Sequence, residues 1–531
     1  MIVQRIDKYL DETFKYIQDI VLSQLYDANI ARAKSHSFNG RKFQTGKDKE
    51  KFVFSTTTLV RPGVQNNKEL IISKDTEMRL TNGMKDLFVK GRNVLINKIG
   101  FNDFDSSILE KSIEGEFTSL STHRERYYKS PKQYRILIPT NDAVRLLGDI
   151  SGWGYAIDGN LKSDHLIKVK INKNDFHFYS CTNKNAESFL VIDSLNKIHL
   201  EEFLKEVNSI LLSYAFLKGN YFGSYAYIFT YKANNLKTPV SMMYCCLGES
   251  IYGGFPVHST KPHWLMDYKG LTKYRKGKNG FSKRVGTESL NQYMESFPEG
   301  CFSNLCELIL NKNGIQRTVV LFISNHKSPV EIKVPTLFVA LENITRVLNG
   351  NSTSIPKIID DANAEVEIKN IIKKAAKEIN SVKQKYFPQH ASQEDKKAYS
   401  SDYDRLKGKL NKLNEGTNNK KLTEPFLHFG YHLTPEEGDL IYKKRNTFIH
   451  GSDYMPLGSN SEEEFKELFH ISLQLQKLIA ILLLKASGYS GYILNNVRVY
   501  DHITGKKIDE DVFINCLLYT SPSPRDAHES R

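Results

Sequence analysis

Strand-like patterns stop near Pro335 in this chain, and about 130 residues without one follow. Up to that point, short runs either alternate apolar and polar residues or consist of β-branched and aromatic residues. Beyond it, apolar residues recur every three or four positions, as in helices that bury one face. The sequence therefore predicts a multidomain protein, in which an α+β N-terminal region is followed by an all-α bundle of four to five helices.

The helices of this C-terminal part have clear start and stop signals. Thr434 is a predicted N-cap, Pro435 occupies the first helical position, and Glu437 completes a capping box. That helix is expected to run to about His450 and to stop near Gly451. The other predicted helices and the polar linker are Leu337–Leu348, the linker Asn349–Pro356, Ala364–Tyr386, Ser401–Asn414 and Glu462–Ala486.

The N-terminal region mixes helix and strand patterns. Residues 4–34 read as one amphipathic helix with Ile6, Leu10 and Ile17 near one stripe, and a polar, lysine-rich stretch, Ser35–Lys51, follows. A second helix is predicted at His199–Leu217, between strands. The predicted strands are Phe52–Val60, Glu69–Ser73, Tyr134–Pro139, His165–Asn172, Phe189–Asp193, Tyr225–Tyr231, Ser241–Leu247 and Thr318–Ser324.

These patterns predict four segments of native sequence. They are an N-terminal helix (1–34), an α+β region with a sensing or regulatory role in one or two domains (35–334), a connecting helix and linker (335–363), and the helical bundle (364–515).

Residues 516–531 differ in origin. Their first eleven residues, CLLYTSPSPRD, match the in-frame translation of a transposon-end sequencing adapter. We therefore expect 516–531 to be non-native and the native sequence to be lost near Asn515.

Charge and cysteine content limit the classes of protein to which this chain can belong. The net charge is +14, and residues 1–355 carry +13 of it, so an anionic partner such as nucleic acid is to be sought in the N-terminal part. Six cysteines in 531 residues do not support a disulfide scaffold. The longest apolar run, Leu478–Leu484, is too short to cross a bilayer, and the N-terminus lacks a signal-peptide core. We therefore expect a cytoplasmic protein without a membrane partner.

One short motif carries the clearest chemistry. Arg445-Asn446-Thr447-Phe448-Ile449-His450 lies at the end of the capped helix, Gly451 follows, and a long apolar helix comes next. In this motif and its helical surroundings, residues 365–490 resemble the HEPN superfamily, and most closely the ApeA-like HEPN domains of abortive-infection proteins. The resemblance implies a metal-independent endoribonuclease that needs no cofactor and acts as a homodimer in antiphage defence. Arg445, His450 and Asn446 would then be its catalytic residues, and RNA of the host or the phage its substrate. The trigger would be derived from the phage.

The residue types suit RNA cleavage. The ribose 2′-hydroxyl can attack its own phosphate, and a histidine with a pKa near neutrality can take that proton or donate one to the leaving 5′-oxygen. A guanidinium can neutralise the charge that builds on the phosphate. On a straight helix, Arg445 and His450 would lie about 140° apart, so a shared site needs the helix to open before Gly451 or a partner subunit to complete it.

Two other interpretations of this motif stay open. Arg445 could be a solvated helix residue, with His450 placed at the helix C-terminus where a cation is favoured. The bundle could also be a non-catalytic dimerisation module, with the basic N-terminal region binding nucleic acid or a phage protein. Cleavage of total RNA by the wild type but not by His450→Ala would separate the enzyme from the binding module.

A second candidate is the basic segment Met266–Arg284, in which seven cations and one acid alternate with aromatic residues. Cations bind phosphates and aromatic rings can stack on bases, whereas the alternative is a solvated glycine-rich loop. Its candidate nucleic-acid-binding residues are Lys269, Lys273, Tyr274, Arg275, Lys276, Lys278, Lys283 and Arg284.

Weaker candidates lie elsewhere in the N-terminal part. Thr122–Arg135 repeats the basic-aromatic composition with His123, Arg124, Arg126, Lys129, Lys132 and Arg135. His258 and His263 could hold a metal, although two surface histidines are the simpler interpretation. Cys301 and Cys306 lack the second pair that a structural zinc site needs, so no metal ligand is predicted.

Overall fold

A computed structural model describes residues 6–21, 25–30, 42–48, 51–60, 74, 76–82, 86–105, 108–140, 166–232, 235–258, 273–276, 282–285, 293, 295–349, 359, 361–390, 392–414, 418–449, 461–506 and 510–516. The chain divides into two compact units. The N-terminal unit comprises Met1–Pro329 and Leu483–Leu517, and the C-terminal unit comprises Val330–Leu482 and Leu518–Arg531. An α+β part followed by a helical part is thus confirmed as the layout.

The N-terminal unit is built on an antiparallel sheet of fourteen strands, in the order β10-β11-β12-β9-β13-β14-β8-β5-β4-β1-β2-β3-β7-β6. The strands are β1 Leu25–Ile30, β2 Lys42–Asp48, β3 Lys51–Val60, β4 Glu77–Thr81, β5 Asp86–Lys90, β6 Val94–Asp105, β7 Ile108–Phe117, β8 Ser119–Ser121, β9 Gln133–Thr140, β10 Ile167–Ile171, β11 Asn174–Thr182, β12 Ser188–Ser194, β13 Ser224–Lys232 and β14 Asn235–Gly248.

The alternating patterns explain most of these strands. In β10 the sequence IKVKI alternates buried and exposed residues at every position, as a strand with one covered face does. In β12 all seven residues are buried, in keeping with its position between β11 and β9. Six of the predicted strands are confirmed, namely those in β3, β9, β10, β12, β13 and β14. The predicted strand Glu69–Ser73 lies outside the described residues.

Helices cover part of this sheet. Helix α1 is Ile6–Val21, and α2, Leu200–Lys218, confirms the predicted helix between strands. Helix α2 ends at Gly219, whose φ of 76° is left-handed, and a Cβ there would lie 2.4 Å from the carbonyl oxygen of Gly254. Only glycine fits this C-cap. Helices α3, Glu299–Asn311, and α4, Asn313–Ser324, follow later in the chain.

Helix α3 closes one edge of the sheet with its side chains. The backbone N–H groups of Lys168 and Lys170 in β10 donate to Glu299 Oε1 (3.0 Å) and Ser303 Oγ (3.0 Å), and Asn172 N donates to Glu307 Oε1 (2.6 Å). Four residues of a helix rise about 6 Å and two residues of a strand about 6.6 Å, so the two spacings match. An edge that could pair with another strand is thereby covered.

Two N-terminal predictions were wrong. The helix predicted over residues 4–34 ends at Val21, because Leu25–Ile30 pairs with β2 on one side and β4 on the other. The predicted strand Thr318–Ser324 is the second half of helix α4, in which Ile315, Val319 and Phe322 are buried at helical spacing. The stretch Ser35–Lys51 also contains strand β2.

The C-terminal unit contains helices α5 Val330–Asn349, α6 Ala362–Lys385, α7 Gln393–Asn411 and α8 Asn418–His428. A further helix, called here the motif helix, consists of the turns Pro435–Asp439, Leu440–Lys444 and Arg445–Ile449. Helix α9, Ser461–Ala486, follows. The helices predicted in this part are therefore confirmed. The first and the third begin earlier than predicted, at Val330 and Gln393.

The unit boundaries differ from the predicted ones. Helix α5 packs on α8 and on the last turn of the motif helix, so it belongs to the helical unit and is not a connector. Residues 483–516 belong to the N-terminal unit, where a short hairpin of Tyr492–Leu494 and Phe513–Asn515 contributes to a small core with Val499 and Val512. The compact unit Val330–Leu482 and the predicted bundle 364–515 thus differ by about 30 residues at each end.

Helix α9 is buried along most of its length. It is long and apolar enough to cross a membrane on average hydropathy, but 94% of its most apolar window is buried inside the protein. Burial of that extent is typical of the core helix of a soluble protein.

Candidate functional site

The start of the motif helix is anchored by a buried carboxylate. The capping box is present as predicted: Thr434 Oγ1 accepts from Glu437 N (3.2 Å), and Glu437 Oε2 accepts from Thr434 N (2.9 Å). The same carboxylate accepts from Tyr431 Oη (2.8 Å) and pairs with Lys477 Nζ of α9 (2.7 Å). Lys477 and Glu437 are 2% and 1% exposed. The helix that carries Arg445 is thus tied to the core at its N-terminus.

A π-helical turn, Leu440–Lys444, immediately precedes Arg445. Its first two residues, Leu440 and Ile441, are buried in the core. A π turn contains about one residue more than an α turn, so it rotates the following residues relative to the preceding ones, and such turns are frequent at functional sites. The position of Arg445 is therefore set by a local irregularity that the sequence pattern did not indicate.

Arg445 is held against helix α5. Its Nε and Nη2 both contact Glu342 Oε1 in an ion pair in which the Arg445 side chain is 15% exposed. One turn further on, Phe448 stacks on Phe338 with ring centroids 5.8 Å apart. These two contacts fix the C-terminal turn of the motif helix on α5. The interpretation of Arg445 as a solvated helix residue is not supported by this burial.

Its two basic neighbours are also paired with carboxylates. Lys443 Nζ lies 2.8 Å from Asp439 one turn earlier in the same helix, and Lys444 contacts Glu467 of α9. Lys443 is largely exposed, whereas Lys444 is about one-third exposed. Three consecutive cations are thus each matched by an acid.

The other two predicted catalytic residues are not described at side-chain level. Asn446 lies in the last turn of the motif helix, but its side chain lies outside the described residues, as does the whole of His450. The distance and angle between Arg445 and His450 therefore stay predictions.

The basic segment forms a hairpin. Lys273–Lys276 pairs antiparallel with Ser282–Val285, and the register places Arg275 opposite Lys283 and Tyr274 opposite Arg284. The other predicted residues, Lys269 and Lys278, lie outside the described residues.

The second basic segment is partly buried in the N-terminal unit. Arg135 is fully buried: its Nε donates to Asp193 Oδ1 (2.6 Å) and its Nη2 to Asp193 Oδ2 (2.8 Å). Burial would lower the pKa of Arg135, but Asp193 raises it well above its ordinary value. Tyr128 and Tyr134 are buried too. The interpretation of this segment as a nucleic-acid surface was wrong for its last cation and for both of these rings, because the sheet covers them.

One of the two histidines considered as metal ligands lies in the protein core. His258 is buried between Phe297 and Tyr489, and burial lowers its pKa to about 3, so it is a neutral core residue and not a surface one. His263 lies outside the described residues. All six cysteines are free thiols. Across the described part of the chain, no group of three or more His, Cys, Asp or Glu side chains could hold a metal ion.

Comparison with known proteins gives no relative. No family model, no curated protein and no solved structure matches this chain. Any function must therefore be argued from the residues themselves.

Two acidic residues of the candidate site were missed by the sequence reasoning. Glu342 and Glu467 lie 103 and 23 residues from their basic partners, on helices whose mutual packing the sequence pattern does not define. Only the packing of α5 and α9 around the motif helix shows these pairs.

Proposed function

We propose that this chain is a metal-independent endoribonuclease of the HEPN type, with an N-terminal sensing region, that acts in antiphage abortive infection in the cytoplasm. The observation that carries the proposal is the placement of Arg445. Arg445 lies on the last turn of the motif helix. Glu437 anchors the start of this helix, the π-helical turn rotates the residues that follow it, and the ion pair with Glu342 fixes the last turn on α5. A guanidinium held at a fixed position can stabilise a phosphate once its carboxylate partner is displaced, and electrostatic catalysis requires such a fixed charge.

The proposed reaction needs only groups of this chain and of RNA. The 2′-hydroxyl loses its proton to a base and attacks the adjacent phosphorus, while the 5′-oxygen of the next nucleotide leaves with a proton. His450 takes the proton of the 2′-hydroxyl, and in a dimer His450 of the partner subunit donates a proton to the 5′-oxygen. Arg445 neutralises the phosphate charge, and Asn446 orients His450 or the phosphate. The products are a 2′,3′-cyclic phosphate and a 5′-hydroxyl.

The direct test is incubation of the purified chain with RNA in excess EDTA, beside an all-deoxy strand of the same sequence. We expect the RNA to be cut and the deoxy strand to survive, since it lacks the nucleophile. Cleavage that requires a divalent metal would contradict the proposal.

A non-catalytic module is the second candidate. The observation that favours it is the pairing of Lys443, Lys444 and Arg445 with three carboxylates, which lowers the positive charge that RNA would meet at the motif. In this case the bundle only dimerises and the N-terminal unit binds nucleic acid or a phage protein. Binding of RNA without cleavage would favour it.

The hairpin Lys273–Val285 is the proposed RNA-binding element of the N-terminal unit. Reversing the charges of Lys273, Arg275 and Lys276 to glutamate should weaken RNA binding. It should also reduce the slope of log affinity against log salt by about 0.7–0.9 for each lost phosphate contact. Fluorescence anisotropy over a salt series measures both. The control reverses Lys168, Lys170 and Lys205, which are exposed elsewhere in the same unit. An unchanged slope would identify the hairpin as a solvated surface element.

We also propose a homodimer through the helical unit, but not through α9, which is buried. Exposed apolar side chains occur on several helices of this unit, and on α6 Ile371 and Val382 are 66% and 45% exposed. They are eleven residues apart, about three helical turns, so they lie on the same side of α6, and we assign the interface to that side. We expect the wild type to be a dimer by light scattering and Ile371→Glu with Val382→Glu to be a monomer. A wild-type monomer at micromolar concentrations that cleaves RNA fully would contradict this.

A further inference from the structure

We propose that Glu342 is an internal competitor for phosphate, which holds Arg445 in a resting state until RNA displaces it. The inference rests on the proposed function, because it assigns a regulatory contact to the same guanidinium. It adds a residue that the motif does not contain and that lies on a different helix, α5.

The geometry of the contact supports competition. Both Nε and Nη2 of Arg445 contact the same carboxylate oxygen of Glu342. These two N–H groups point in the same direction and form one of the edges with which arginine binds phosphate oxygens. Glu342 therefore occupies a phosphate-binding edge of the guanidinium. An RNA phosphate that uses this edge must replace the carboxylate.

Relative exposure points the same way. The side chain of Glu342 is 33% exposed, whereas that of Arg445 is only 15% exposed. The carboxylate is therefore more accessible than the guanidinium, and the pair as a whole offers an approaching anion no net positive charge. The two lysines that precede Arg445 pair with Asp439 and Glu467. These lysines therefore add no uncompensated positive charge that would attract the anion.

The test compares two carboxylates next to the motif. Glu342→Gln removes the charge of the proposed competitor and keeps nearly the same shape. Asp439→Asn is the matched control, because it removes a carboxylate that pairs with Lys443 and not with Arg445. Each is combined with His450→Ala, and binding is measured by anisotropy with a 2′-O-methyl RNA, which cannot be cut. This readout does not depend on catalysis.

We expect Glu342→Gln to bind about tenfold tighter, within the range that competing interactions usually couple, and Asp439→Asn to change binding by less than about threefold. The gain should vanish when Arg445→Ala is added, because the competition acts through that guanidinium. With His450 intact, Glu342→Gln should also cut RNA faster than the wild type.

Equal or weaker binding by folded Glu342→Gln would overturn the proposal and make Glu342 a positioning residue for Arg445. A gain that persists with Arg445→Ala would overturn it too. Glu342→Ala, checked by circular dichroism, serves as a second variant with the same expectation if the glutamine variant misfolds. If no variant cuts RNA while the Arg445-dependent gain in binding is seen, the nuclease proposal fails and the competition stands.

Discussion

Replacing Asp193 by asparagine is expected to lower the free energy of unfolding by about 3–5 kcal/mol, the cost of leaving a buried charge without its partner. Arg135 and Asp193 are directly opposite residues of the neighbouring strands β9 and β12, and their side chains are 0% and 2% exposed. Tyr179 Oη donates to Asp193 Oδ2 (2.9 Å), and Arg135 Nη1 donates to the carbonyl oxygen of Leu236 (3.0 Å). Asparagine can accept some of these bonds but cannot balance the guanidinium.

Urea denaturation measures this loss as a shift of the midpoint. The control is Glu201→Gln, which breaks an exposed pair with Lys205 and should leave the midpoint nearly unchanged. A double variant, Arg135→Met with Asp193→Leu, should be much less destabilised than Asp193→Asn, since no charge is left buried. A loss below about 1 kcal/mol for Asp193→Asn would show that the pair does not hold the sheet together.

The sequence predicted the regular parts of the fold because local patterns determine them. The alternation in Ile167–Ile171 and the capping box at Thr434 each specify their element within a few residues. The error at Thr318–Ser324 came from weighting β-branched residues above spacing. Ile315, Thr318, Val319, Phe322 and Ile323 are buried at intervals of three and four, which already indicated a helix.

The parts of the fold that the sequence did not predict depend on contacts between distant segments. Leu25–Ile30 becomes a strand because partners are present on both of its sides, which nothing within those six residues indicates. The burial of Arg135 depends on Asp193, 58 residues later, and the burial of Arg445 depends on Glu342, 103 residues earlier. The local sequence around a basic residue therefore does not show whether that residue will bind RNA or form an internal ion pair.

His450→Ala and Arg445→Ala are each expected to reduce RNA cleavage by about 10²–10⁴-fold. Loss of a general acid–base group typically has this effect, and loss of a preorganised charge donor has an effect of similar order. Arg445→Ala also removes a pair in which the Arg445 and Glu342 side chains are only 15% and 33% exposed, so we expect it to lower the free energy of unfolding by about 1–3 kcal/mol. Lys443→Ala is the control on the same helix, since it removes a cation that is 73% exposed.

Metal-independent RNA cleavage by Arg445 and His450 determines the chemistry of the product ends, which can be analysed after a reaction in EDTA. RNA treated with the wild type should carry 2′,3′-cyclic phosphate and 5′-hydroxyl ends, and RNA treated with folded Arg445→Ala or His450→Ala should remain intact. Undiminished cleavage by the folded alanine variants, or 5′-phosphate ends formed only with a divalent metal, would contradict the assignment.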